Sequence, residues 1–294
     1  MMDGEFFGKK MTQIFCGCSD LPHDRRTFYQ NASAIEHRVG LFSPPKARVL
    51  KSWAEDAQNA RLPMRTIWVA WQAFTHRPGD IKKGFGLKLL PGESAANLGH
   101  FMKTPENMRV WTRIKEQAVH VGASHILLET SAQFTPSSNN KRALTAFVEE
   151  WAELPENMKL VWHAAGFWER EEVANLAQSL HIIPAIDPLV DERESLPECS
   201  EIYFQMLGRH GLLDNYSDDD LECILNASSR YDDVSIIFRT CDSLGDARRL
   251  LKLSETYVPT DDFTFDSDDD WDEDEESDDF EEDEESDDYD DDIE

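Results

Sequence analysis

Thr104 to Glu129 reads TPENMRVWTRIKEQAVHVGASHILLE, and its two halves decide the fold. In the first half Thr104 can cap a helix, and Pro105 fits the first helical position. Val110, Trp111, Ile114, Ala118 and Val121 fall on one face, and Gly122 suits a left-handed stop. The second half, Ser124 to Glu129, centres on Ile126-Leu127-Leu128, which is apolar without alternation. A strand of that kind is buried on both faces, as parallel strands covered by helices are. A helix followed at once by such a strand is one step of a β/α repeat.

The same step recurs along the chain. Strand-like runs lie at Gln13 to Gly17, Ala34 to Val39, Thr66 to Trp71, Met158 to His163, His181 to Ile186, Glu201 to Met206 and Asp233 to Phe238. With Ser124 to Glu129 they make eight. Helical stripes stand between most of them: Val49, Leu50, Trp53 and Ala57 after Ser43-Pro44-Pro45; Leu144, Phe147, Val148 and Trp151; Val173, Leu176, Ala177 and Leu180. Ser217 with Asp220 and Ser243 with Asp246 read as capping-box starts. Alternating strands and helices give a doubly wound sheet or a closed barrel, and eight strand signals favour a TIM-like (β/α)8 barrel, whose usual length is about 250 residues. The second strand is the weakest, interrupted by Glu36, His37 and Arg38. The expected organisation is an N-terminal extension over 1–12, the barrel over 13–258 and an acidic tail over 259–294.

Charge separates that tail from the rest. The formal net charge is -30, and Asp261 to Glu294 hold 24 acidic side chains in 34 residues with no Lys or Arg, which leaves 35 acids against 29 bases before it. From Trp271 a nine-residue unit nearly repeats, offering an aromatic at Trp271, Phe280 and Tyr289. Self-repulsion and the lack of apolar surface predict disorder. Three roles fit: a solvated appendage, an arm that docks on a basic protein partner, or a flap over a barrel mouth containing Arg38 and Arg209. Its charge opposes direct binding to nucleic acid. No run reaches the roughly 18 uncharged apolar residues of a membrane span, Met1 to Met11 is not a secretory signal, and five scattered cysteines suit a reducing compartment. A cytoplasmic, soluble protein is expected. No dinucleotide fingerprint or phosphate loop follows any strand, and Gly84-Phe85-Gly86 is only a pair of loop glycines.

Across residues 13 to 255 the chain resembles the YecE-like family, the domain of unknown function 72, as a divergent member. The likeness rests on Phe15-Cys16-Gly17-Cys18-Ser19, on Ile35-Glu36 followed by Phe42, Pro44 and Trp53, and on Thr75-His76. Asp187, and Tyr203-Phe204 with Gly208-Arg209, Tyr216 and Leu221, continue it in order. The resemblance implies a TIM barrel without an established activity. Several of the family's polar positions differ: Arg38 stands for an Asn, Gln72 for a Lys, Glu129-Thr130-Ser131-Ala132 for Gln-Leu-Pro-Pro, and Arg239-Thr240 for a pair of Asn. His163 falls in a strand that usually reads Glu-x-Arg-His, and Gln205 to Gly208 replaces Arg-x-His-Gly. The family's shared site is therefore expected to be altered.

Functional groups of a β/α barrel sit at the carboxyl ends of the strands. That rim is expected to collect Ser19, Glu36, Arg38, Gln72, Thr75, His76, Glu129, His163, Asp187 and Arg209 as pocket residues, beside Cys18, Asp20, His210 and Asp242. His76, Glu129, His163 and Asp187 are of the types that hold a divalent metal such as zinc, manganese or iron; the competing reading is a satisfied structural network. Cys16 and Cys18 share one face of the first strand, as a buried pair near the barrel floor or as a redox or metal pair. Trp68, Trp71, Trp162 and Trp168 are core residues or a stacking platform. No nucleophile elbow is present, and Ser19 is a hydrogen-bonding pocket residue. Two functions remain open: a binding or interaction barrel with an altered pocket, or a metal-assisted hydrolase or lyase acting on a phosphate- or sugar-containing ligand.

Overall fold

A computed structural model describes residues 12–42, 44–81, 87–190, 196–208 and 215–259. The expected extension, the acidic tail with its expected disorder, Arg209 and His210 lie outside the described residues.

Eight parallel strands close in sequence order: β1 Gln13–Ser19, β2 Ala34–His37, β3 Arg65–Val69, β4 His125–Glu129, β5 Lys159–His163, β6 Ile183–Ile186, β7 Glu201–Met206 and β8 Asp233–Phe238, with β8 pairing back onto β1. Helices cover the outside: α1 Arg25–Asn31, α2 Val39–Phe42, α3 Ala47–Gln58, α4 Gln72–Thr75, α5 Pro105–Val121, α6 Ser138–Ala146, α7 Arg170–Ser179, α8 Asp218–Ser228 and α9 Ser243–Ser254. All eight predicted strands are present. This is a TIM-like (β/α)8 barrel.

The caps show why the helices stop and start where they do. Thr104 accepts from Asn107 N at 3.2 Å at the start of α5, and Gly122 ends it at φ 70°. Ser217 and Asp220 form the expected capping box of α8. At α9 the expected Ser243 cap is displaced by one residue. Asp242 accepts from Gly245 N at 3.2 Å, while Ser243 Oγ donates to the Thr240 carbonyl and Asp246 bonds Thr240 Oγ1.

Strand side chains alternate in and out, and the inward set is layered. The middle layer is apolar, with Ile67, Leu127, Val161, Ile183 and Ile237 around the barrel axis. The floor, at the strands' amino ends, is charged. Arg65 pairs with both oxygens of Asp233 at 2.5 and 2.8 Å and lies 3.7 Å over the Phe15 ring. Glu201 accepts from His125 Nε2 at 2.9 Å and from Lys159. Burial works to raise the Glu201 carboxyl, but the hydrogen bonds from His125 and Lys159 outweigh it and hold its pKa near 2. A carboxylate depressed in the folded state stabilises fully above its ordinary pKa of 4.5 and loses that contribution as pH falls toward 2. Glu201→Gln is therefore expected to lower the urea midpoint at pH 7, with the gap to the unmodified chain closing below pH 4.5. A gap that stays constant down to pH 3 would remove the carboxylate from the account.

The outward faces pack under the helices. Trp68, Trp71, Trp162 and Trp168 are all buried there; the first three take the core role of the two foreseen, while Trp168 also borders a cavity. The interruption in the second strand resolves by parity: Glu36 points inward, while His37 turns outward and stacks on Trp53 with ring centroids 4.9 Å apart. Burial drives the His37 pKa down to about 3, so it is a neutral core ring. Cys16 and Cys18 also face outward, against the α8/α9 and α1 sides, not the barrel floor. Burial raises both thiols, Cys18 to about 12, which makes them unreactive. None of the five cysteines is joined in a disulfide. Among the described residues no helix is long and apolar enough to cross a membrane.

Candidate functional site

At the carboxyl ends of the strands the barrel opens into a cavity of about 910 Å³. Ser19, Arg38, Gln72, His76, Glu129 and His163 line it as the sequence led one to expect, joined by Asp80, Gln205, Arg239 and Thr240. Its base is a chain of alternating charge. Arg239, directly after β8, bonds Glu36 Oε1 of β2 through Nε at 3.0 Å and reaches Glu129 Oε1 of β4 through Nη2. Arg38 Nη2 then meets the other oxygen, Glu129 Oε2, at 3.4 Å. Glu36, 0% exposed, also accepts from Ser19 Oγ at 2.7 Å and from the Tyr203 hydroxyl.

Burial tends to raise the Glu129 carboxyl, but the Arg239 and Arg38 guanidiniums bring it below the usual carboxylate range, so it stays ionised. Burial lowers the pKa of His163 and of His76, so both imidazoles are neutral near pH 7. With its carboxamide oxygen toward Arg239, Gln205 accepts at 2.6 and 2.9 Å, and its nitrogen donates to His163 Nε2 at 3.2 Å. That places the His163 proton on Nδ1. Tyr203, pushed well above its ordinary value by burial, remains a phenol.

Some expected pocket residues act from beneath. Glu36 and Thr75 are fully buried and do not reach the cavity; Thr75 Oγ1 lies 2.8 Å from His76 Nδ1 and orients that ring. Asp187 lines a neighbouring cavity instead, and accepts from Leu189 N at 3.0 Å. The four-residue metal set is thus not assembled. Both Glu129 oxygens are engaged by guanidiniums, and among the described residues no group of three His, Cys, Asp or Glu side chains could hold a metal ion. The sequence marks Arg239 and Gln205 as altered positions of the family's shared site and Tyr203 as a point of resemblance, but none of them was counted among the pocket residues. Their signal was parity: Tyr203 and Gln205 continue the inward positions of β7, and Arg239 those of Ser235 and Ile237.

One cation keeps unused capacity. The Arg38 side chain is 35% exposed, its contact with Glu129 is long, its Nε has no hydrogen-bond partner among the described residues, and it lies 5.1 Å over the Phe42 ring at the rim.

Among solved structures the barrel is similar to a DUF72 family protein of Enterococcus faecalis, with a TM-score of 0.58 and 12% identity over 83% of this chain and 94% of that one. It is similar also to a DUF72 family protein of Thermotoga maritima, with a TM-score of 0.57 and 15% identity over 83% of this chain and 98% of that one. The fold is DUF72-like. No family model and no curated protein matches the sequence. At such identities the likeness concerns architecture, so the DUF72-like barrel takes its functional reading from its own mouth.

Proposed function

We propose that the barrel mouth is a binding site for a small ligand carrying an anionic group such as a phosphate, and that the protein works by binding. The observation that supports this reading is the contrast between Arg239 and Arg38. Arg239 is consumed by two buried carboxylates, whereas Arg38 lines the cavity and, among the described residues, makes a single long ion contact. Guanidinium forks suit phosphate and carboxylate oxygens, and Gln72, His76 and Thr240 add neutral hydrogen-bonding groups around it. A metal-assisted hydrolase or lyase would need Glu129 freed from both guanidiniums, which would leave Arg239 and Arg38 short of a counter-charge.

Titration of the full chain with inorganic phosphate and with ribose 5-phosphate tests the reading. Arg38→Ala is expected to weaken binding at least 10-fold, about 1.4 kcal/mol or more, with the effect shrinking at high salt. No binding by the unmodified chain, or equal binding by the variant, would overturn it. For the acidic tail we propose an arm for a basic protein partner in a reducing, cytoplasmic setting. Its complex should weaken steeply with salt and vanish on truncation at Asp261; partners that survive truncation would leave only solubility.

A further inference from the structure

The mouth has a neighbour. His163, Leu207 and Gly208 line it and also line a second cavity of about 350 Å³ beside β5 and β6. The two share a wall but differ in chemistry. The side cavity is faced by Trp168, Val173, Ala174, Ile186, Val190 and Pro197. Trp168 is fixed in place: its Nε1 donates to the Phe134 carbonyl at 2.5 Å and its ring stands edge-on to Trp162 at 5.0 Å. Of its lining residues, Val190 and Leu207 leave apolar surface uncovered at 61% and 38% exposure. Arg170 also borders the side cavity, but its Nη2 is bonded to the Val190 carbonyl at 2.9 Å. Asp187 borders it as well and accepts from Leu189 N at 3.0 Å; beyond these two charged groups and His163 the side cavity is faced by apolar side chains, whereas the mouth is polar.

We propose that the two cavities are subsites of one site, and that its ligand is an organic phosphate with an apolar or aromatic body. This rests on the anion-binding reading of the mouth. The phosphate meets Arg38, and the body enters the side cavity past His163 to lie against Trp168. A cavity of about 150 Å³ suffices for a benzene ring, so the side cavity admits a ring or a short alkyl chain. Hydroxyl groups of a sugar would find few partners against Val173, Ala174 and Ile186, which disfavours a bare sugar phosphate there. His163, neutral and held by Gln205, is the positioning residue at the junction of the subsites.

The experiment compares inorganic phosphate with phenyl phosphate on the full chain by calorimetry. Burial of the ring should make phenyl phosphate bind about 10- to 100-fold more tightly. Ala174→Trp, which fills the side cavity, should erase that advantage and leave the affinity for inorganic phosphate unchanged. As a second measurement on the unmodified chain, nuclear Overhauser contacts should appear between the phenyl protons and the Trp168 indole. Phosphate binding without a phenyl advantage, an Ala174→Trp variant that lowers both affinities alike, or absence of the Trp168 contacts would overturn the two-subsite proposal. Failure of both probes to bind would overturn the mouth reading, and this proposal with it.

Discussion

Arg239→Met is expected to lower the unfolding free energy by about 3 to 5 kcal/mol, the usual cost of removing one partner from a buried ion pair. Among the described residues Arg239 is the side chain that joins Glu36 to Glu129 in the charge chain of the mouth, and the two carboxylates have side-chain exposures of 0% and 9%. Without the guanidinium each must either stay charged in a poor solvent or take up a proton. The variant should therefore be least stable near neutral pH and recover part of the loss as pH falls through the carboxylate range. For a domain of this size the loss corresponds to a fall in Tm of roughly 6 to 20 °C. The double variant Glu36→Gln with Arg239→Met should be more stable than Arg239→Met alone. If Arg239→Met unfolds at the same urea concentration as the unmodified chain, the charge chain is not what holds the upper barrel together.

The second large effect is expected at Gly99. This residue sits at φ 85°, and a Cβ built there would lie 1.9 Å from the His76 carbonyl oxygen and 2.4 Å from its carbon. Backbone cannot move aside as a flexible side chain can. Gly99→Ala thus combines a disfavoured backbone conformation with a main-chain collision, for a cost of about 3 kcal/mol or more. The damage should be local to the loop that shapes the mouth. Phe101 N bonds the Phe74 carbonyl at 3.4 Å, Asn107 Nδ2 bonds the Gly99 carbonyl at 3.0 Å, and His100 Nε2 lies 3.1 Å from Asp80 Oδ2. Amide exchange at Gly99 and Phe101 should accelerate, and ligand affinity at the mouth should fall with it. Unchanged exchange at these amides would show that the close approach to His76 is not needed.

The barrel was legible because its strands carry a signal that needs no partner to interpret. Ile126-Leu127-Leu128 is apolar on consecutive residues, and Pro105 and Gly122 mark the preceding helix at both ends. The rim was legible in part for a similar reason, since residues at or just after the carboxyl end of a barrel strand lie at the mouth when parity turns them inward. Glu129, His163 and Arg38 follow from that rule. What sequence does not carry is which side chains from different strands meet. Glu129 and His163 have the ligand types of a metal centre, and only the arrival of Arg239 from the opposite side of the closed ring shows that the carboxylate is already neutralised. The same ignorance of distance separated Asp187 from the mouth. Parity, applied more strictly, would have turned Cys16 and Cys18 away from the axis, because Phe15, Gly17 and Ser19 take the inward positions of β1.

The apolar belt formed by Ile67, Leu127, Val161, Ile183 and Ile237 has a consequence for protein engineering. It holds the floor ions around Glu201, level with Asp233, and the mouth ions around Arg239 about 20 Å apart, six residues of strand at roughly 3.3 Å each, and Tyr203, its polar member, turns its hydroxyl to the mouth carboxylate Glu36. Changes at sites so far apart with no shared partner add independently. The two ends of this barrel are separate modules: a graft of new mouth residues inherits an intact foundation, and thermostabilising changes at the floor leave ligand affinity where it was.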